Sequence, residues 1–444
     1  MKKYDIIMIN PTFEEHKKSL KYCFPFGLLY LSSILKNEGY RIKLLDYNLK
    51  PKSINEIVCE IKTSDNPIFI ISSMSSGYLF VKRLVPIIRQ YAPKSKILLG
   101  GSITFGIPEF IVKQTQVDAA VVGEAETCIV QLVESILDDR DLSLVPGVYW
   151  RVVGDSVKKP SEKQETIFNL SRIPFPDWDL IDVETYISNM AHSCLTENMR
   201  TFPISASRGC PYQCNFCSKT LGSKIRTRSI DLIEEINHAI KKYHINDIWF
   251  IDEEFAITEE RSFEMCDILS RLNKSISFVC SMRVDCVNQK ILKKMATVGC
   301  RRIVYGVESG SKTILKAMNK KTTNTQADHA IIETRKLGIE ASCNFMIGYP
   351  GETEETFFET FSFMKKHGLY SNFSLTTPLP GTPLFDDMIK SNRIDDLDKY
   401  LNSLDKKMTK EMALNMSSIP SDQLMDLRNK YKKELYPNRV ILKS

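Results

Sequence analysis

Long apolar runs are missing from this 444-residue sequence. A membrane-spanning helix needs roughly 18 or more apolar residues, and no apolar stretch of the chain approaches that length. The first apolar stretch covers only Ile6 to Ile9, whereas a secretory signal peptide has an apolar region of about 7–15 residues. We therefore expect a first β-strand there, no membrane span, and a cytoplasmic protein.

The sequence also has little charge imbalance, no low-complexity tract and no internal repeat. Its 60 Lys and Arg residues are nearly matched by 54 Asp and Glu residues, and the net charge of +6 is spread along the chain. This balance does not indicate a nucleic-acid partner. The 12 cysteines, in a large chain that we expect to be cytoplasmic, favour metal binding, catalysis or packing over disulfides.

The first 140 residues alternate runs rich in β-branched residues with amphipathic stretches. The predicted strands are Asp5–Ile9, Arg41–Asp46, Ile68–Ser72, Lys96–Gly100 and Asp118–Val122. Strands that alternate with helices form a doubly wound parallel sheet, and such a sheet binds ligands at the carboxyl ends of its strands. We therefore predict an α/β domain of Rossmann-like type over residues 1–140 and a proline-containing connector over residues 141–198.

A second alternation of strands and helices fills residues 199–385. The predicted strands are Pro203–Ser207, Asp247–Ile251, Ser277–Ser281, Arg302–Val307, Glu340–Ile347 and Asn372–Thr376. Six such units predict a partial (β/α)6 barrel of the TIM type, with functional residues at the carboxyl ends of the strands. Residues 386–444 have a mostly helical pattern, and we predict a C-terminal helical segment there.

Three cysteines lie within eight residues, directly after the first predicted barrel strand: Cys210, Cys214 and Cys217. Thiolates are soft ligands that suit iron–sulfur clusters or zinc. A structural zinc site takes four protein ligands, usually with a second Cys or His pair further along the chain, and no matching pair occurs here. The triplet therefore favours a [4Fe–4S] cluster that keeps one iron open for a small molecule, with zinc as the alternative.

The spacing CxxxCxxC, with the aromatic Phe216 before the last cysteine, resembles the motif of the radical S-adenosylmethionine (SAM) superfamily. The resemblance implies that the open iron chelates the amino and carboxylate groups of SAM, and that Phe216 is one of the residues that bind SAM. An electron from a donor such as flavodoxin or ferredoxin would then cleave SAM into methionine and a 5′-deoxyadenosyl radical. In such an enzyme the protein holds and orients cofactors that carry out the chemistry.

Charged residues follow the next two predicted barrel strands. Asp252 and Glu253 follow the second strand, where carboxylates can accept hydrogen bonds from the ammonium group of SAM. Arg283 follows the third strand and could pair with the carboxylate of SAM. A solvated acidic turn and a surface salt bridge are the respective structural alternatives.

Two later strand ends carry further residues that we predict to bind SAM. Glu308 and Ser309 follow the fourth strand, and the resemblance places them near the ribose hydroxyls. Gly348 follows the fifth strand and would allow the backbone to approach the adenine closely. A turn that caps the next helix is a second interpretation of the segment around Gly348.

A second resemblance concerns the first domain. The segments Pro25–Leu31, Leu99–Thr104 and Val121–Thr127 are similar to the cobalamin-binding domain of the class B radical SAM enzymes. The resemblance implies a flat ring seated against glycines at a strand end, with amides and hydroxyls that bind its polar groups. The predicted cobalamin-binding residues are Pro11, Thr12, Ser72, Ser73, Met74, Ser76, Gly100, Gly101, Ser102, Thr104, Gly123, Glu124 and Glu126.

The classical cobalamin motif DxHxxG is absent, because Asp46 is followed by Tyr47, Asn48 and Leu49 without a histidine. We therefore expect no histidine to coordinate cobalt from below. Since glycine-rich strand ends occur in any doubly wound domain, a first domain that binds no cobalamin is the alternative.

The two resemblances together imply a cobalamin-dependent radical SAM enzyme. The leading hypothesis is a methyltransferase, in which the 5′-deoxyadenosyl radical removes a hydrogen atom from an unactivated carbon of a small molecule and methylcobalamin supplies the methyl group. The alternative keeps both cofactors but carries out cyclisation, ring contraction or oxygenation. Less favoured are a methylthiotransferase, which would carry a second cluster and a β-rich RNA-binding tail, and a non-enzymatic cobalamin sensor.

Overall fold

The structure is a computed structural model that describes residues 4–11, 24–49, 54–62, 66–152, 156–164, 166–193, 199–255, 257–369, 373–407 and 411–435. The chain forms two compact units. The first unit comprises Met1–Asn189, Ser218–Gly222 and Leu379–Lys407. The second comprises Met190–Cys217, Ser223–Pro378 and Met408–Ser444. The domain boundaries expected from the sequence stay a prediction.

The strands of both units are short and follow one another with helices between most of them. The strands are Ile6–Asn10 (β1), Ile42–Asp46 (β2), Ile68–Ser72 (β3), Ile97–Gly100 (β4), Ala119–Val121 (β5), Val148–Arg151 (β6), Val157–Lys158 (β7), Thr201–Ile204 (β8), Ser207–Arg208 (β9), Arg226–Thr227 (β10), Asp247–Phe250 (β11), Ser277–Met282 (β12), Cys300–Glu308 (β13), Glu340–Ile347 (β14) and Phe373–Leu375 (β15).

The helices cover the sheets and fill the segments between the strands. They are Phe26–Asn37 (α1), Ile54–Ile61 (α2), Tyr78–Tyr91 (α3), Pro108–Thr115 (α4), Ile129–Leu137 (α5), Val183–Ser193 (α6), Asp231–Tyr243 (α7), Glu259–Ser270 (α8), Gln289–Thr297 (α9), Lys312–Ala317 (α10), Asn324–Lys336 (α11), Glu354–Lys366 (α12), Pro383–Lys390 (α13), Leu397–Lys407 (α14) and Ser421–Leu435 (α15). No helix of the described residues has the length and apolar character that crossing a membrane requires.

Within its described residues, the first unit contains a sheet of order β2-β1-β3-β4-β5-β6-β7. Strands β1 to β5 pair in parallel, and β6 and β7 add an antiparallel hairpin at one edge. The predicted doubly wound parallel sheet is therefore confirmed. Its central strands are apolar on both faces, as Ile6 to Ile9 in β1 show by their complete burial, because helices cover both sides of a parallel sheet.

The strand order of the first unit fixes where a ligand can bind. Strand β2 pairs with one edge of β1. The chain then crosses over to β3, which pairs with the other edge of β1. This arrangement is the flavodoxin-like one, in which the crevice at the carboxyl ends of β1 and β3 is the expected ligand site. Asn10 and Ser72 end these two strands.

The second unit contains a six-stranded parallel sheet of order β15-β14-β13-β12-β11-β8 within its described residues. The predicted partial barrel is confirmed. The predicted strand Pro203–Ser207 is wrong in detail, because β8 ends at Ile204 and a separate strand β9 pairs with β10. Pro203 fits β8 because this strand lies at the sheet edge, where a residue without an amide hydrogen is tolerated.

A buried ion pair ties together the amino-terminal ends of the barrel strands. Arg301 donates two hydrogen bonds to Asp247, at 2.7 and 2.6 Å. The Asp247 carboxylate also accepts from the hydroxyls of Thr201 and Ser277, at 2.8 and 2.6 Å. Because function in this fold lies at the opposite, carboxyl end of the strands, we interpret this network as structural.

The C-terminal residues divide between the two units. Helices α13 and α14 belong to the first unit, where Asp398 of α14 accepts hydrogen bonds from Tyr78 and Lys82 of α3 at 2.5 and 2.6 Å. Helix α15 belongs to the second unit, where Tyr431 packs 4.1 Å from Phe361 between ring centroids. The described part of residues 386–444 is therefore mostly helical, as predicted.

Candidate functional site

A cavity of about 270 Å³ lies at the carboxyl edge of the sheet of the first unit. It is lined by Asn10, Pro11, Phe24, Pro25, Phe26, Gly27, Asn48, Ser72, Ser73, Met74, Gly101 and Ser102. These residues end or follow β1, β2, β3 and β4, or lie just before or at the start of α1, so the cavity is at the point where the strand order reverses. Among the described residues that line it, none carries a charged side chain.

The cavity brings together six of the residues predicted to bind cobalamin: Pro11, Ser72, Ser73, Met74, Gly101 and Ser102. Gly100 ends β4 and has no atom within 4 Å of the position a side chain would take. Ser76 is buried in a short 3-10 turn after β3. Thr12 lies outside the described residues.

Four other predicted residues make contacts within the protein instead of lining this cavity. The hydroxyl of Thr104 is buried and donates to the carbonyls of Val121 and Gly101, at 2.7 and 3.0 Å. The carbonyl of Glu124 accepts hydrogen bonds from Gln164 and Thr127. Gly123 has φ of +102° and packs against the Gln164 side chain, and Glu126 lines a separate cavity with Thr127.

An aromatic cluster that the sequence interpretation left out of the site forms one wall of the cavity. The ring of Phe24 stacks on Tyr186 with centroids 4.4 Å apart, and both Phe24 and Phe26 meet the edge of Trp178. Trp178 and Tyr186 come from the segment that the sequence indicated to be a connector. The proline-rich stretch before Trp178 was a signal of irregular backbone, but it did not reveal what the segment packs against.

A half-buried carboxylate links this wall to the floor of the cavity. Asp46 accepts hydrogen bonds from the Tyr186 hydroxyl at 2.6 Å and from the Asn10 amide at 2.8 Å. Burial raises the pKa of Asp46, and the hydrogen bonds from Tyr186 and Asn10 oppose the rise. Asp46 occupies the position at which a DxHxxG motif would begin. It therefore orients Asn10, which lines the cavity.

The lining of the cavity fits a large, neutral ring with amide substituents. Amide and hydroxyl groups of Asn10, Asn48 and Ser73 can exchange hydrogen bonds with such substituents, and the Phe26 ring offers an apolar face. The open space beside Gly100 leaves room for a planar group against the strand end. The residues present thus match the chemistry of cobalamin.

In the second unit, the three predicted cluster cysteines follow β9 in one tight loop. Cys214 is buried, Cys210 is half-buried and Cys217 retains an exposed face. The amide of Cys217 donates to the carbonyl of Cys214 at 3.2 Å. Burial, and then the neighbouring thiols Cys214 and Cys210, raise the pKa of Cys217 to about 11.

Three soft thiols on one short loop are the donor set that an iron–sulfur cluster takes from a protein. In the part of the chain that the structure describes, no group of three or more His, Cys, Asp or Glu side chains is arranged to hold a metal ion as it stands. The assignment of the cluster to Cys210, Cys214 and Cys217 therefore stays a prediction.

The acidic residues after β11 hold the backbone that leads into the cysteine loop. Asp252 accepts hydrogen bonds from the Ala206 amide and the Ser207 hydroxyl, both at 2.7 Å. Glu253 accepts from the amide of Gly209 at 2.6 Å, one residue before Cys210. These contacts give both carboxylates a positioning role within the protein, and their contact with SAM stays a prediction.

Arg283 and its neighbours form a buried charged network beside the same loop. Its guanidinium pairs with both oxygens of Asp285 at 2.9 Å and stacks 3.6 Å from the ring centroid of Tyr212 in the loop. Its amide donates to Glu254, and burial raises the pKa of Glu254 to about 8. One guanidinium nitrogen of Arg283 is buried without a hydrogen-bond partner among the described residues, which leaves a donor for an anionic ligand.

The residues after β13 are held by the protein in two different ways. Glu308 has φ of +69° and accepts a hydrogen bond from buried Lys320 at 2.9 Å. Ser309 is completely buried and shares a hydrogen bond with Thr360 at 2.9 Å. Contacts of Glu308 and Ser309 with a ribose stay a prediction, and Ser309 in this structure binds helix α12.

Gly348 lies against the second unit's C-terminal segment. It has φ of +83°, and a side chain there would meet the sulfur of Met412 at 3.1 Å. Its amide donates to Glu352, a completely buried residue whose other carboxylate oxygen has no hydrogen-bond partner among the described residues. The glycine therefore allows Met412 to pack closely here, and its approach to adenine stays a prediction.

Burial raises the pKa of Glu352 to about 7, with a partial offset from the Gly348 amide. The unfolded-state pKa is near 4.5, so the folded protein binds more protons between these values, and its free energy of unfolding falls as pH rises through that window. We expect Glu352→Gln to reduce the difference in unfolding free energy between pH 5 and pH 8 by about 2 kcal/mol, measured by urea denaturation.

The matched control for this prediction is Glu355→Gln, which removes an exposed carboxylate one turn further along the chain. We expect the control to leave the pH dependence of stability unchanged. An equal pH dependence in Glu352→Gln and the wild type would show that the buried carboxyl does not titrate in this range.

Two families of known proteins match the chain, each over one of these sites. Residues 204–364 match the Radical SAM superfamily, and residues 17–133 match the B12 binding domain. An uncharacterized methyltransferase of Pyrococcus horikoshii is 30% identical over 373 residues, which cover 83% of this chain and 79% of that protein.

Two further comparisons concern activity and fold. An anaerobic magnesium-protoporphyrin IX monomethyl ester cyclase of Rubrivivax gelatinosus is 27% identical over 387 residues, which cover 85% of this chain and 68% of that protein. The solved structure of the radical SAM methyltransferase TsrM from Kitasatospora setae, with cobalamin and a [4Fe–4S] cluster bound, has a TM-score of 0.71 at 17% identity. It covers 88% of this chain and 75% of the TsrM chain, and at this identity it shows a shared fold.

Proposed function

Because this chain belongs to the radical SAM superfamily and carries a B12-binding domain, we propose that it is a methyltransferase that acts on an unactivated carbon of a small molecule. It is a cobalamin-dependent radical SAM enzyme, and its cofactors are a [4Fe–4S] cluster, SAM and cobalamin. A cytoplasmic location and an electron donor such as flavodoxin or ferredoxin complete the proposal.

The observation that carries the proposal is the presence of both sites in one chain. A loop with three thiols stands at the carboxyl end of the first barrel strands, and an uncharged cavity lies at the switch point of a flavodoxin-like sheet. The relative with 30% identity is named a methyltransferase, which favours methyl transfer over other reactions of the class.

The residues of the chain have distinct roles in this proposal. Cys210, Cys214 and Cys217 would hold the cluster, while Glu253 fixes the backbone before the first of them. Arg283 would pair its unpartnered guanidinium nitrogen with the carboxylate of SAM. When bound, the cluster supplies one electron to SAM, and cobalamin carries a methyl group from SAM to the substrate.

A second candidate is a reaction without methyl transfer, which the similarity to the Rubrivivax gelatinosus cyclase favours. The two candidates differ in a product that can be measured without knowing the substrate. A methyltransferase forms S-adenosylhomocysteine when cobalamin receives a methyl group from SAM. An enzyme of the cyclase type uses SAM to form 5′-deoxyadenosine alone.

The test is anaerobic reconstitution with iron, sulfide and hydroxocobalamin, followed by incubation with SAM and dithionite. We expect both 5′-deoxyadenosine and S-adenosylhomocysteine, quantified by liquid chromatography and mass spectrometry. Formation of 5′-deoxyadenosine without S-adenosylhomocysteine favours the second candidate. Absence of both products from protein that contains a full cluster contradicts the proposed function.

A further inference from the structure

The backbone after helix α10 is joined to the cysteine loop by three hydrogen bonds. The Asn215 amide donates to the Met318 carbonyl at 2.9 Å, and the Asn215 side chain donates to the Ala317 carbonyl at 2.9 Å. The Asn319 side chain donates to the Gln213 carbonyl at 2.6 Å. The segment from residue 317 to residue 320 therefore braces the part of the loop that lies between the first and last cysteines.

This brace ends at a buried lysine. Lys320 is only 6% exposed, and its ammonium lies 5.9 Å from the ring centroid of Phe216, the residue before Cys217. The positive charge therefore lies beside the residue that directly precedes the last cysteine of the loop.

The buried Lys320 ammonium is accompanied by features that are energetically unfavourable. Burial of an ammonium group is costly unless it is paired, and Glu308, at 2.9 Å, is the partner that pairs with it. Glu308 adopts a left-handed φ of +69°, a backbone conformation that is strained in a residue other than glycine. A side chain at Gly306 would lie 2.6 Å from the Glu308 carboxylate and 2.9 Å from the Lys320 ammonium.

A buried salt bridge contributes little to stability when hydrophobic residues could replace it. Local strain that the surrounding structure maintains is concentrated at functional sites. The combination of a strained Glu308, a glycine at position 306 and a buried ammonium beside the cysteine loop therefore points to a role in the chemistry of that loop.

We propose that Lys320 is a positioning residue that raises the reduction potential of the cluster held by Cys210, Cys214 and Cys217, an inference that rests on the proposed function. Reduction adds one electron from an external donor to the cluster, and no bond forms or breaks. A nearby positive charge favours the state with the additional negative charge, because the two charges attract across partly desolvated surroundings.

The experiment is a redox titration of the reconstituted protein with dithionite, followed by electron paramagnetic resonance of the reduced cluster and by iron analysis. For Lys320→Met we expect normal iron content. At the wild-type midpoint potential, the ratio of reduced to oxidised cluster should fall about tenfold, which is about 59 mV for a one-electron couple. Lys320→Arg, which retains the charge, should stay within about twofold of the wild type.

The matched control is Lys316→Met, which removes an exposed lysine from helix α10, just before Lys320, and should leave the potential unchanged. Lys320→Gln repeats the loss of charge in a side chain that can still donate to Glu308. The proposal is overturned by an unchanged potential in Lys320→Met or Lys320→Gln, or by loss of iron from both of them and from Lys320→Arg. A wild-type protein that takes up no cluster contradicts the proposed function instead.

Discussion

Replacing Cys214 with Ala is expected to reduce the formation of 5′-deoxyadenosine to background. Cys214 is the buried member of the triplet, and a methyl group cannot replace a thiolate as an iron ligand. Only two thiols would then remain for a cluster that needs three from this loop. The measurement is 5′-deoxyadenosine by mass spectrometry, with iron and sulfide content determined on the same samples after anaerobic reconstitution.

The matched control is Cys59→Ser in helix α2, which removes an exposed cysteine from the first unit. We expect this variant to retain iron, sulfide and product formation at wild-type levels. If the Cys214→Ala protein forms 5′-deoxyadenosine as the wild type does, the assignment of the cluster to this loop is wrong.

The second large effect is expected at Gly101, on the floor of the cavity in the first unit. Gly101 has φ of +89°, and a side chain there would stand 2.9 Å from the Ser73 amide nitrogen and closer still to the Ser73 carbonyl oxygen. Both groups are fixed by hydrogen bonds to the backbone of Gly100 and Ile103. We expect Gly101→Ala to lower the free energy of unfolding by about 3 kcal/mol, from backbone strain and overpacking together.

Two other glycines allow the contributions of backbone strain and overpacking to be measured separately. Gly39 has the same φ of +89° with no atom within 4 Å, and Gly100 has neither a positive φ nor a close neighbour. We therefore expect Gly39→Ala to lose about 1 kcal/mol from strain alone and Gly100→Ala to be nearly neutral.

The measurements for this series are urea denaturation and the absorption change on binding hydroxocobalamin. Gly101→Ala should also bind cobalamin more weakly, because Ser73 and Ser102 beside it line the cavity. A Gly101→Ala protein as stable as Gly39→Ala would show that the backbone around Ser73 moves away at little cost.

The fold could be predicted because the parallel strands carry either apolar runs or apolar residues at alternate positions. The predicted strand Ile68–Ser72 coincides with β3, whose first four residues are apolar and buried because both faces of a parallel sheet are covered. The predicted strand Glu340–Ile347 coincides with β14, in which buried residues alternate with more exposed ones. The strand predicted at Pro203–Ser207 was wrong in detail, since pairing with β10 gives residues after Ile204 a separate strand. That pairing depends on Arg226 and Thr227, which carry no local strand pattern.

The candidate site could be predicted where a motif is local in sequence, and not where it depends on tertiary contacts. The cysteine triplet is recognisable from its spacing alone. Lys320 has no motif, and its closeness to the loop results from the packing of α10 against residues about 100 positions earlier. The contacts of Asp252 are a second example. The sequence predicted that it binds SAM, but it did not predict that its oxygens accept hydrogen bonds from the Ala206 amide and the Ser207 hydroxyl.

Helix α14 has a consequence for how the chain becomes folded during its synthesis. It belongs to the first unit and contacts Tyr78 and Lys82, yet Lys407 is made 218 residues after Asn189. At a translation rate of about 5–20 residues per second, the part of the first unit that ends at Asn189 waits roughly 10–45 s for this helix. During that interval the ribosome produces the whole barrel, so the first unit is completed only after most of the second has left the exit tunnel.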